Sequence, residues 1–252
     1  EPESAGLKLW EKYLAMMFTP DHKIIEKHRR WLGFALKIVV ETVLSQCKPQ
    51  DRTAYLKKLL AHYQPGDYDD VTAFMLLDTM MVIPLQELDE EERTALLNFA
   101  SSLYERSSME IRAGVLRFLQ KFMEISEPTE LQWKTICSVI DSIRTDDDVA
   151  LIYVKEQLQN RGASSGFWHS SNTQDVVTDI FLKNMKIATP WIIKEINIQM
   201  LLDYVKENPE ANVLQVAAHL SNLLKVSERI TVRHTAGRAL LETAPLLSKD
   251  QR

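Results

Sequence analysis

Residues 111–119, Ile-Arg-Ala-Gly-Val-Leu-Arg-Phe-Leu, decide the reading of this chain once laid on residues 232–240, Val-Arg-His-Thr-Ala-Gly-Arg-Ala-Leu. Arg112 meets Arg233, Arg117 meets Arg238 and Leu119 meets Leu240. The pairs Ile111/Val232 and Val115/Ala236 keep β-branched or small apolar character. The two stretches lie 121 residues apart, or three units of about 40. Val149 and Ile193 fill the same position between them, in steps of 38, 44 and 39 residues.

Outward from these stretches the periodicity is helical. Leu96, Leu97, Ala100 and Leu103 follow an i, i+1, i+4, i+7 stripe, and Val115, Leu116, Leu119 and Phe122 repeat it. Ile136, Val139, Ile140 and Ile143, and then Val213, Val216, Ala217, Leu220 and Leu224, do much the same. No run alternates with period two, so strands are not expected. Only 7 of 252 residues are glycine, where about 7 % is usual. Hairpin turns and phosphate-cradling loops, which need positive φ, have little to draw on.

Capping signals divide the periodic stretches. Asp51 is expected to cap a helix that Pro65-Gly66 stops, and Asp89 with Glu90, Glu91 and Glu92 opens another. Ser107 or Ser108 with Glu110, then Pro128, then Asp146-Asp147-Asp148 mark three more starts. Thr189-Pro190 and Asn208-Pro209 each join a capping residue to a proline at the first helical position. The resulting pairs are 3–18 with 21–46, 51–63 with 68–83, 89–106 with 108–125, 128–144 with 146–161, 173–186 with 190–207, and 209–226 with 229–243.

Six pairs in 252 residues make 42 residues each, the period of HEAT or armadillo units at roughly 40–47. The second helices, above all 111–119 and 232–240, resemble the second helix of HEAT repeats. There an aliphatic-Arg pair is followed by small and apolar residues at helical spacing. The resemblance implies an all-α fold: a right-handed α-α superhelix, a HEAT-like solenoid of about six helical hairpins. Helix 21–46 is long for such a unit, and Pro84 interrupts another. Residues 1–85 are therefore expected to form divergent N-terminal hairpins or a cap, with 86–252 as HEAT-like repeats continuous with them in one solenoid.

Charge and cysteine content bound the function. With 30 Lys+Arg against 35 Asp+Glu the chain carries −5, whereas dedicated nucleic-acid domains usually have a pI above ~9. Nucleic acid is thus not the expected partner. No apolar run reaches a membrane span, since Lys37 and Asp78 break the two longest. Cys47 and Cys137, 90 residues apart and outside any CxxC, fit a reducing, cytoplasmic compartment. A start at Glu1 without methionine and a stop at Lys249-Asp250-Gln251-Arg252 suggest a fragment.

Catalytic motifs are absent: there is no GxSxG, GxxxxGK[ST], HExxH, HD pair or GxGxxG. His22 and His28, six apart, fall on different helix faces and do not share a metal. His219 reads as a satisfied or surface histidine on an apolar helix. The clusters Asp67, Asp69, Asp70 and Asp146, Asp147, Asp148 have the donors for a divalent cation, but helix capping explains them better. No cofactor or metal is implied.

The binding candidates are basic. Arg112, Arg117, Lys155, Lys194, Arg233 and Arg238 all fall on second helices, which a solenoid aligns along its concave face. They suit an acidic peptide or a phosphate backbone, although in proteins resembling HEAT repeats the arginine after the aliphatic residue commonly bonds a neighbouring turn's carboxylate or carbonyl. Lys23, Lys27, Arg30 and Lys37, with Trp31, read as a solvated stripe. Phe167 and Trp168 sit in a Gly/Ser/Asn-rich stretch, 161–172. It is an insertion tucking two aromatics onto neighbouring helices, an exposed recognition loop, or a join across missing residues. The functional expectation is a non-catalytic scaffold or protein-binding module, holding a protein partner or another domain of the same chain. The alternatives are a helical segment of a larger enzyme, or an enzyme similar to HEAT-like DNA glycosylases using Trp133 with Asp141 or Trp191 with Glu195.

Overall fold

A computed structural model describes residues 2–18, 26–105, 108–125, 127–160, 166–169 and 173–248. Twelve α-helices and no strand are present among them. In order they are α1 (Pro2–Phe18), α2 (Glu26–Gln46), α3 (Pro49–Leu60), α4 (Asp70–Met80), α5 (Glu90–Ser102), α6 (Met109–Ile125), α7 (Glu130–Asp141), α8 (Val149–Gln159), α9 (Thr173–Met185), α10 (Trp191–Glu207), α11 (Val213–Val226) and α12 (Ile230–Thr243). Each of the twelve expected helices has a counterpart among the described residues. No described helix is long and apolar enough to cross a membrane.

Local chemistry explains where several helices start. Asp69 accepts a hydrogen bond from the Thr72 amide at 3.0 Å and opens α4. Asp89 and Glu92 form a full capping box on α5, with bonds of 2.8 and 3.1 Å. Thr129 and Gln132 make the same reciprocal pair ahead of α7. Asp148 accepts from the Ala150 amide at 3.0 Å and starts α8. One aspartate from each acidic cluster is therefore a helix cap.

Three expected starts shift. Pro49 takes the first position of α3, so Asp51 stands in its first turn, where it favours the dipole. Pro190 occupies the capping position of α10 and Trp191 becomes its first residue. Asn208 accepts from the Glu210 amide in a turn, while Asn212 caps α11 through the Gln215 amide, both at 3.0 Å. Two asparagines compete for one helix start, and the second wins. Ser107 lies outside the described residues.

The chain divides into two units, Glu1–Val139 and Ile140–Arg252. In the first, α1 packs on α2, α2 on α4, α4 on α6 and α5 on α6. In the second, α8 packs on α10 and α10 on α12, while α9 and α11 lie against α10 and α11 also against α12. Within each unit, then, the second member of one helix pair rests on the second member of the next. At Gly33 in α2 the approach of α4 is close enough that an added Cβ would overlap Met75. At Gly114 in α6 an added Cβ would meet Leu77 and Phe74 at 3.4 and 3.7 Å, an ordinary contact.

The packing sets a register. Thr72, Ile111, Leu151, Ile193 and Val232 are each the third residue of α4, α6, α8, α10 and α12, spaced 39, 40, 42 and 39 residues apart. All five are buried, at 3 % exposure or less. Leu151 therefore takes the place expected of Val149, which is the first residue of α8 and half-buried. The reason is the Asp148 cap: it fixes the helix start two residues ahead of the core position.

Candidate functional site

The residue after the buried third position is basic on three of the five helices, Arg112 on α6, Lys194 on α10 and Arg233 on α12, whereas α4 has Ala73 and α8 Ile152 there. Arg112 donates from Nη2 to the Tyr104 hydroxyl at 3.1 Å and lies over that ring at 5.1 Å. It thus ties α6 to the turn that ends α5, through a tyrosine rather than the carboxylate or carbonyl expected. Lys194 is half-buried, and burial holds its ammonium below the usual lysine range despite the nearby Glu228 carboxylate. Arg233 is half-buried at the equivalent place on α12, which packs on α10.

The remaining basic candidates separate. Lys155 donates to the Ile143 carbonyl at 2.8 Å, so its charge serves the turn after α7. Arg117 is half-buried on α6, in the first unit, and Arg238 is exposed on α12, in the second. Within the second unit, Lys194, Arg233 and Arg238 share the packed helices α10 and α12, while Lys155 has its local bond on α8.

Phe167 and Trp168 form a 3₁₀ turn, Gly166–His169. Trp168 is 4 % exposed and its ring lies 5.0 Å from Tyr204 of α10. Phe167 stands edge-on to Trp168 at 5.0 Å and to Tyr153 of α8 at 5.4 Å. The two rings bridge α8 and α10, as the tucked-insertion reading requires, and only Phe167 keeps partial exposure. The rest of that stretch, residues 161–165 and 170–172, lies outside the described residues.

Two cations of the early basic stripe, Arg30 and Lys37, are spent on structure. Arg30 pairs with Glu110 of α6 at 3.1 Å, and Lys37 with Asp78 of α4 at 2.8 Å. A solvated face is not what these two cations make. Trp31 is 64 % exposed; Lys23 and the side chain of Lys27 lie outside the described residues. Of the residues cast for base excision, Trp133 is half-buried and Asp141 exposed on α7. Glu195 is 7 % exposed on α10, one turn beyond Trp191, whose ring sits 5.3 Å from the Arg229 guanidinium.

Three polar constellations were not read from the sequence. The Tyr153 hydroxyl donates to Asp203 in a short bond, Gln157 donates to Tyr153 at 2.6 Å, and Gln199 to Asp203 at 2.9 Å. Burial and the Asp203 charge push Tyr153 well above the usual tyrosine range. Burial, with Asp203 beside it, also raises the Glu207 carboxyl, against the pull of His169. The spacings 153/157 and 199/203 are a readable i, i+4 signal; the link between helices is not.

Lys121 of α6 donates to the carbonyls of Met81 and Ile83 at 2.9 and 2.6 Å, where α4 ends. Burial, with Lys37 near, lowers its ammonium to about 8. In the second unit, Asn197 donates to Asn184 at 3.0 Å, and Asn184 lies 3.2 Å from Nε2 of His219. Asn184 has one carbonyl and one amide group, and the carbonyl is occupied by Asn197. Its amide must therefore donate, and His219 is neutral with its proton on Nδ1. Burial lowers His219 to about 4, and Phe181 covers its ring at 4.4 Å. His219 is thus the satisfied histidine that its apolar helix implied.

No protein-family model, curated protein or solved structure matches this chain.

Proposed function

We propose that this chain is a non-catalytic helical-repeat scaffold, a HEAT-like solenoid that holds a protein partner, or another domain of its own polypeptide, along its second helices. The observation that carries the reading is the packing of α2 on α4 on α6 in one unit and of α8 on α10 on α12 in the other. The buried third position recurring every 39–42 residues accompanies it. Units that each rest on the next build extended binding surfaces in repeat proteins. Two unbridged cysteines suit a cytoplasmic setting. The basic residues on α6, α10 and α12 favour an acidic protein surface over a basic one.

Affinity capture with the full-length protein from its native host, followed by lysine-directed cross-linking, tests this reading. Links from a co-purified protein to Lys194 and Lys206 on α10 are expected. Links confined to the first helices α7, α9 and α11, or no co-purifying protein at all, would overturn it.

A further inference from the structure

The last helix carries a face that its own unit does not cover. On α12 the core arc is formed by Val232, Ala236, Ala239 and Thr243, which meet α10 and α11. The opposite arc carries Ile230, His234, Arg238 and Leu241 at i, i+4, i+8 and i+11, all exposed. Ile230 is 63 % and Leu241 75 % exposed, and a rise of 1.5 Å per residue sets them about 16 Å apart along the axis. Large apolar side chains held in water at that spacing are anchors with nothing to grip.

Charge on the same arc leaves one cation, Arg238, unmatched. Its single carboxylate, Glu242, is 2.6 Å from the Lys206 ammonium of α10 and so is already neutralised. Arg238 has no ion-pair partner among the described residues. An apolar pair with a guanidinium between its members matches a helix bearing leucines on one side and carboxylates beside them.

We propose that the Ile230–Leu241 face of α12 is a docking surface for an acidic amphipathic helix of a partner protein. The partner's apolar residues rest on Ile230 and Leu241, and its carboxylates reach Arg238. This deepens the scaffold reading and rests on it: it names the surface and the chemistry of the occupant.

The probe is a fluorescent amphipathic helical peptide of about five turns, with leucines matched to the Ile230–Leu241 interval and glutamates flanking them. A second peptide carries lysine in place of every glutamate. Both are titrated onto the full chain by anisotropy. The acidic peptide is expected to bind, more weakly as salt rises, and the lysine peptide not to. Arg238→Glu should lower the acidic peptide's affinity about tenfold or more and let the lysine peptide bind. Leu241→Ala should weaken the acidic peptide without changing its salt dependence. Both positions are exposed, and an unchanged melting midpoint checks that the variants fold.

Acidic-peptide binding that survives both substitutions would overturn the proposal. So would equal binding of the two peptides, no binding of either, or a homodimer in light scattering that Leu241→Ala disperses, since a second copy would then be the occupant. Cross-links to α10 from a captured partner, with no peptide binding at α12, would end this inference alone. Peptide recognition at α12 with no co-purifying protein from the native host would instead strike the wider reading.

Discussion

Burial holds His219 at about 4, below its ordinary 6.5, and the neutral ring accepts from the Asn184 amide. Between those values the unfolded chain takes up a proton that the folded chain refuses. Stability therefore falls as pH drops from 6.5 towards 4. The loss is expected to be about 1–2 kcal/mol once solvent screening of the partly exposed ring is allowed for. Urea unfolding at pH 7 and at pH 4.5 measures it, and His219→Gln, which still offers Asn184 an acceptor, should remove that share of the slope. Two glycines make a second comparison at this scale. Gly33→Ala forces Cβ into Met75 and should cost about 1–3 kcal/mol. Gly114→Ala meets only ordinary contacts and relieves a helix-interior glycine, so it should be neutral or stabilising by up to about 1 kcal/mol. Denaturant midpoints of the two variants, moving in opposite directions, are the check.

Helix ends are where element-scale reasoning succeeds and fails. The Asp89–Glu92 box was readable because all its donors and acceptors lie within four residues. Asp89→Ala should cost about 0.5–2 kcal/mol in thermal unfolding. The start of α11 differs from the expected one because Asn208 and Asn212 offer the same local chemistry, Asn208 spending it on a turn and Asn212 on the cap. The end of α4 is closed by a residue more than thirty positions away, Lys121, and no local pattern announces such a cap. Replacing it by methionine leaves the Met81 and Ile83 carbonyls without the ammonium. The expected cost is about 1–3 kcal/mol, with faster amide exchange confined to the last turn of α4. Wild-type stability should also rise between pH 8 and 10.5, where only the unfolded lysine still holds its proton, and Lys121→Met should flatten that rise.

At the scale of the whole molecule, the helix count and the roughly forty-residue register were legible because both rest on apolar spacing, which each helix carries by itself. The candidate site was less so. Arg112, Lys155 and Lys194 are all basic residues on second helices, yet one stacks on a tyrosine, one closes a turn and one is lowered by burial. Those fates depend on what the neighbouring helix presents, and periodicity is silent about that. Native-state hydrogen exchange should find α4 and α6 slower than α3, because each of the two is packed against helices on two sides within that unit. The notch at Gly33 extends the argument to chemical ageing. The Met75 thioether fills that notch and is shielded from solvent while α2 lies on α4. Peroxide damage at this one sulfur would therefore act as a clock, ticking only during the moments when the two rods part.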